Sequence, residues 1–318
     1  MRRFRPLPFA LVLACTMLLP PHALVAAAAD TTPMLAVAEA DARARPRDAA
    51  AWITLARARI EAGKTGPAVD AAQRAVQLAP DDAEAHYWLG NAYGNRMGDV
   101  GMLGKLGLAP KLRDAFERTI ALDPAHVKAR SSLVEFYLMA PSMLGGGIDK
   151  ARVQALEIGK RDKARGLLAQ ARIAGHEEQA ARVLQLHQAA LAAAPDDVEI
   201  QFTVAMAHVE AEQWSVAVPL LRKVVAREPE NAGAWYQIGR SAAVSGEFLD
   251  EGAAALQRYL AMPHRRGQPE TKHALYRLGQ VQARAGHPDQ ARASWQRALA
   301  LDPKFAEVEA ELAKSPGG

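Results

Sequence analysis

The chain has 318 residues, half of them hydrophobic but only 6% aromatic, and a formal net charge of +4. So many small apolar residues with so few rings suit thin, closely packed helices and not a bulky globular core. Three arginines sit in the first five residues and no acid accompanies them, so the chain beyond residue 29 carries only +1, which argues against nucleic acid or an acidic membrane surface as main partner.

Residues 1–29 come first in chain order and differ from the rest. Arg2, Arg3 and Arg5 precede an apolar stretch from Phe9 to Leu19, and Val25 to Ala29 offers several small-x-small cleavage sites. That is the layout of a secretory signal peptide. Pro20 and Pro21 interrupt the apolar run, which is too short to span a bilayer, so no stable transmembrane anchor is expected and the mature chain is placed in the periplasm. Val12-Leu13-Ala14-Cys15 also looks like a bacterial lipoprotein box, with Cys15 as a lipidated first residue. The apolar run ahead of it is only about six residues, against the usual seven to fifteen, which favours cleavage within Val25 to Ala29 and a mature start between Ala26 and Asp30. Cys15 is the only cysteine, and a mature chain without thiols is indifferent to an oxidising compartment.

From residue 33 onward one pattern returns every 34 residues. Pro46 and Pro80 stand that far apart, as do Pro195 and Pro229. Between them Trp52, Leu55, Ala68, Ala72 and Ala75 recur in register, as Trp235, Ile238 and Gly239 in a later unit and as Leu278, Gly279, Gly286, Ala291, Trp295, Ala298 and Pro303 in the last. Tyr87-Trp88-Leu89-Gly90-Asn91-Ala92-Tyr93 is the fullest single line. Small residues at Gly90, Gly239 and Gly279 let one helix lie against the next, and proline, lacking an N–H, ends each second helix.

These residues resemble the tetratricopeptide repeat, with its Trp, Leu-Gly, Tyr, Gly turn, Ala, aromatic, Ala and closing Pro. The resemblance covers roughly residues 33 to 313. It implies an all-α fold: a right-handed superhelical solenoid of about seven helical hairpins, starting near Ala49, Ala83, Val127, Lys163, Val198, Ala232 and Lys272. The expected organisation is a leader over residues 1–29, a single helix within 30–48 that ends near Arg45, the solenoid over 49–304, and a capping helix and tail over 305–318. Glu307, Glu309, Glu311 and Lys314 suit a polar cap. The fourth unit lacks the Leu-Gly pair and is placed by a turn at Gly175 and by Pro195.

The family lines a concave groove with the first helix of each hairpin, which implies partner-binding residues at Arg57, Tyr87, Asn91, Lys128, Glu135, Tyr236, Arg240, Tyr276, Arg277 and Gln280. Tyr and Arg combine contact area with fixed donors. The family's carboxylate clamp needs Lys and Asn where this chain has Ile53 and Arg57, so that mode is not expected.

Two insertions break the period. Pro80 to Pro124 spans 44 residues, placing extra chain near residues 94–111, and a shorter insert lies near 139–147. Inserts at equivalent places in neighbouring repeats project from one edge. Gly98, Gly101, Gly104 and Gly107 recur every third residue, which as a free helix would cost about 4 kcal/mol relative to alanine, so a loop or weakly helical flap is expected. Its apolar residues Met97, Met102, Leu103 and Leu106, with Met143 and Leu144 of the second insert, either pack on each other or dock a partner. Asp149 is placed as the cap of the following helix.

Chemistry is sparse. Gly63-Lys64-Thr65 imitates the end of a phosphate-binding loop, but Ala58 stands where glycine is required and no strand precedes it. His176-Glu177 begins like a zinc-protease helix, yet Ala180 holds the second histidine's place, and His187 is about 16 Å further along. His86, His126, His208, His264, His273 and His287 fall in different repeats. No catalytic residue, metal site or cofactor is expected. The leading expectation is a non-catalytic scaffold for a protein or peptide in the bacterial envelope. The alternative is a carbohydrate- or lipid-handling accessory module, for which aromatic groove residues leave room.

Overall fold

The computed structural model describes residues 32–263 and 267–314. The expected leader, Cys15, His264 and the end of the tail lie outside them. Among the described residues all regular structure is helical, and these residues divide into two compact units, one up to Leu122 and the other from Asp123 onward. The N-terminal unit holds α1 (Thr32–Ala44), α2 (Ala49–Glu61), α3 (Thr65–Leu78), α4 (Ala83–Met97) and α5 (Met102–Leu122). In the C-terminal unit, α6 (Val127–Met139), α7 (Ile148–Gly159), α8 (Lys163–His176) and α9 (Ala180–Ala193) come first. They are followed by α10 (Val198–Glu210), α11 (Trp214–Arg227), α12 (Ala232–Ser245) and α13 (Leu249–Leu260), then α14 (Thr271–Arg284), α15 (Pro288–Leu301) and α16 (Ala306–Lys314).

Helix starts follow a local rule. Two residues after Pro46, Pro80 and Pro195, the carboxylates of Asp48, Asp82 and Asp197 accept from backbone N–H groups of the next turn; Asn231 does the same after Pro229 and the His126 ring after Pro124. Each cap satisfies a donor that the helix itself cannot. The orphaned proline carbonyls are also closed: six residues on, Trp52 Nε1 (3.1 Å), Arg130 Nε (3.0 Å), Gln201 Nε2 (2.5 Å) and Trp235 Nε1 (2.9 Å) donate to them, and His86 Nε2 lies 2.8 Å from the Pro80 oxygen.

Each odd-numbered helix from α3 to α15 packs antiparallel on the helix before it, α2 with α3 through α14 with α15. At the crossing point the repeat glycine faces a large side chain. A Cβ on Gly90 would lie 2.6 Å from the Phe116 ring, on Gly239 2.2 Å from Leu256 Cγ, and on Gly279 2.2 Å from Trp295 Nε1. Burial is local to successive hairpins, as in a one-dimensional array. Leu55, Ala68 and Ala72 share a core with α1, while Leu221, Ile238 and Ala255 form another. Phe305 and Val308 close the last hairpin against Trp295. First helices also touch the first helices of neighbouring hairpins, α2 with α4 in one unit and α6, α8, α10, α12 and α14 in succession in the other. Within each unit they therefore make one shared face.

Three expectations are corrected. The first insert is helical from Met102, with Gly104, Gly107 and Pro110 inside α5. Burial of Ala109 beside the glycines and of Ala115, Phe116 and Thr119 in the second half of α5 outweighs the glycine cost. Asp149 is no cap: Gly147 holds that position, and Asp149 lies in the first turn, paired with Arg152 at 2.8 Å. Gly175 is inside α8, and the left-handed turn residue of that hairpin is Glu178, with φ 60°.

The second insert is a single 3-10 turn, Ser142–Leu144, tied down by Gly147 N–H donating to the Tyr137 carbonyl at 2.8 Å. A Cβ on Gly146 would overlap the Ala140 carbonyl oxygen, so only glycine fits there.

Candidate functional site

The face built by the first helices carries the candidate binding residues in one register. Counting from the repeat glycine, Tyr87, Tyr236 and Tyr276 stand three residues before it, and Asn91, Arg240 and Gln280 one after. Residues four apart share a helix face.

In the N-terminal unit the guanidinium of Arg57 on α2 lies 4.9 Å from the centre of the Trp88 ring on α4. Tyr87 meets Trp88 edge-on at 5.4 Å and tilts against Phe116 at 5.9 Å. Asn91 Nδ2 donates to the Tyr87 carbonyl at 2.8 Å. Arg57, Tyr87 and Asn91 thus belong to neighbouring helices on one surface, with Arg57 exposed.

The C-terminal unit holds the better-organised cluster. Gln280 Nε2 donates to the Tyr276 hydroxyl at 2.9 Å, Arg277 donates to Gln280 Oε1 at 2.9 Å, and the Arg277 guanidinium sits 5.4 Å from the Tyr276 ring centre. Tyr276 is backed by Phe305 at 5.5 Å, and its carbonyl accepts from Trp295 Nε1 at 3.2 Å. Burial pushes the Tyr276 hydroxyl up from its ordinary pKa, so it stays protonated. The result is an aromatic surface with a cation and an amide held beside it by hydrogen bonds, so the three side chains are already ordered.

The other positions divide. Arg240, on the adjacent α12, is half-buried. Lys128 on α6 is exposed, whereas Glu135 is paired with Arg172 of α8. Tyr236 is a correction: it is only 7% exposed, with its ring 5.3 Å from that of Tyr259, so it fills the space between α12 and α13 and offers no binding surface. Among flap residues, Met102, Leu103, Leu106 and Met143 are exposed, but Met97 and Leu144 are half-buried.

Some groups at the site escaped the sequence reading. Lys272, next to the Tyr276 cluster, bonds Asp302 at 3.0 Å and Glu270 at 3.2 Å, and the bond to Asp302 raises its pKa. Arg172, which neutralises Glu135, was equally silent. Neither pairing leaves a signal, because the partners are thirty or more residues apart in one case and on different hairpins in the other. Thr65 of the phosphate-loop imitation bonds the Asp99 carboxylate and begins α3, a structural role. Among the described residues no group of three or more His, Cys, Asp or Glu side chains could hold a metal ion. No helix among them is long and apolar enough to cross a membrane.

Three family models match the chain: a TPR repeat over residues 56–95 and tetratricopeptide repeats over residues 202–263 and 273–305. No curated protein matches it. Among solved structures, yeast Tom70 aligns with a TM-score of 0.56 at 13% identity over 90% of this chain and 58% of that one. The APC/C hetero-tetramer Cut9-Hcn1 aligns with a TM-score of 0.54 at 13% identity, over 90% of this chain and 53% of its own. The chain spans little more than half the length of either, and at such identity the likeness speaks for the fold alone. Repeat register, helix pairing and family models agree that the chain is a tetratricopeptide repeat protein.

Proposed function

We propose that this protein is a non-catalytic scaffold that holds a protein or peptide partner on the first-helix face of its C-terminal unit, in the bacterial cell envelope. Tetratricopeptide repeats serve as protein-interaction modules, and the observation that carries the specific reading is the bonded cluster of Tyr276, Arg277 and Gln280. Tyr and Arg held in place by neighbours are the residue types on which binding energy concentrates. Arg240 extends the same face with a further cation, and Arg57 with Asn91 forms a corresponding patch in the N-terminal unit. A partner with carboxylates and extended backbone suits both.

Export rests on the leader over residues 1–29 and is tested by mass spectrometry of the mature N-terminus, where a start between Ala26 and Asp30 is expected, a lipidated Cys15 would replace the free periplasmic form by a lipid-anchored one, and an uncleaved leader would refute export. Partner binding is tested by comparing capture from envelope extracts by the full chain and by the double variant Tyr276→Ala, Arg277→Glu. The variant should keep its helical circular dichroism and lose its specific partner; equal capture by both refutes the site.

A further inference from the structure

A second surface lies where the second helix α7 meets the first helix α8 of the next hairpin. Gly159 and Gly166 touch backbone to backbone at the turn end: a Cβ on Gly166 would lie 2.3 Å from Gly159 Cα. Beyond that pinch an open groove runs along the helix pair. It comprises two adjoining hollows of about 400 and 270 Å³ that share Leu156 and Gln170, the second bounded by Leu186 of α9. From Gly159 back to Arg152 it extends seven residues, or about 10 Å along α7.

The groove is apolar where it is exposed. Val153 and Leu156, one turn apart on α7, are 54% and 60% exposed, and Leu167 of α8 faces the same hollow. Its ends are cationic. Lys160 and Arg152 are already paired with Glu157 and Glu177. By contrast Lys163 at one end has no carboxylate partner among the described residues, and Arg182 at the other reaches only the Gln185 amide, at 3.4 Å. Unneutralised positive charge therefore brackets an apolar floor.

We propose that the α7–α8 groove receives an amphipathic helix of a partner protein, with an apolar stripe laid on Val153, Leu156 and Leu167 and carboxylates facing Lys163 and Arg182. Three observations select this occupant. A small molecule in so open a groove would leave much of its surface in water, whereas ligand sites bury most of theirs. The rows Val153–Leu156 and Lys163–Leu167–Gln170 are spaced as helix ridges, which accept a third helix in the groove between them. The chain's own exposed apolar helix face, Met34 and Val37 on α1, is a poor match, because its acids Glu39 and Asp41 are already tied to Arg43 and Arg45. This surface joins the second helices α7 and α9 to the first helix α8, and shares no residue with the Tyr276 cluster.

The test pans a display library of helix-forming peptides, about 18 residues long so that a helix can hold, on the full chain, with counter-selection on Leu156→Glu. Enrichment of sequences with apolar residues at i, i+3 or i+4 and i+7 and with Asp or Glu toward both ends is expected. A synthesised winner should bind about tenfold or more weakly to Leu156→Glu and to Lys163→Glu, and unchanged to Tyr276→Ala, which separates this site from the first-helix face. No enrichment, winners lacking acids, or winners indifferent to Leu156→Glu would overturn the proposal. So would concentration-dependent self-association of the full chain that Leu156→Glu abolishes, since the occupant would then be a second copy.

Discussion

The indole Nε1 of Trp235 donates to the Pro229 carbonyl at 2.9 Å, six residues upstream, and so closes the junction between consecutive hairpins. The first hairpin uses Trp52 and Pro46 in the same way. Each residue type in the sixth position after these prolines, Trp, His, Arg or Gln, carries a side-chain N–H. The carbonyl sits where the preceding helix has ended and the next has not begun, so it has no backbone partner of its own. Trp235→Phe keeps the ring and removes the donor, and should cost about 1–2 kcal/mol in urea unfolding. Trp88→Phe, whose Nε1 bonds only the Glu84 carboxylate on the helix surface, should cost clearly less.

Gly166 allows α7 and α8 to meet at van der Waals contact of their backbones. Gly166→Ala must push the helices apart, because the obstructing atoms are the N and Cα of Gly159 and cannot rotate away. A loss of about 2–3 kcal/mol is expected, with faster amide exchange confined to α7 and α8. An exchange pattern unchanged from the parent chain would contradict so close a crossing.

Glu212 occupies a left-handed backbone conformation, φ 56°, at the turn between α10 and α11. Gly63 and Gly286 hold the equivalent turns with φ 72° and 82°. Since a side chain in that region costs roughly 1 kcal/mol, Glu212→Gly should raise the midpoint of thermal unfolding even though it adds a glycine. Gly63→Glu should lower it.

His187 on α9 is 6% exposed, and its Nδ1 finds no hydrogen-bond partner. Burial, helped by the nearby charges of His208 and Arg172, pushes its pKa down to about 4. The folded state therefore prefers the neutral ring. Stability from this preference is complete above the unfolded pKa of about 6.5 and is lost as pH falls toward 4, by about 3 kcal/mol. His187→Phe should flatten that stretch of the stability–pH curve, and an unaltered slope would show that His187 is not the group responsible.

Much of this architecture could be read from the letters. Pro followed two residues later by Asp or Asn marks the helix starts because both residues act locally, one by stopping a helix and the other by capping the next. Glycines at 90, 239 and 279 marked helix crossings for the same reason. What escaped depends on residues remote in sequence. Gly104 and Gly107 argued for a loop, since burial of Phe116 and Ala115 further along α5 was invisible. Tyr236 and Tyr276 hold the same repeat position, yet the first is covered by Tyr259 and the second is left accessible beside Phe305. The α7–α8 groove depends on a glycine pair that no repeat pattern singles out, at the junction with the fourth hairpin, which lacks the Leu-Gly pair of the family.

The most direct test of the binding face is a photo-reactive side chain placed at Gln280 on α14, compared with one at the exposed Gln257 on α13, in living cells. A discrete protein adduct from position 280, absent from position 257 and lost when Arg277→Glu is added, is the expected result. Adducts from 257 alone, or from 280 regardless of Arg277, would contradict it.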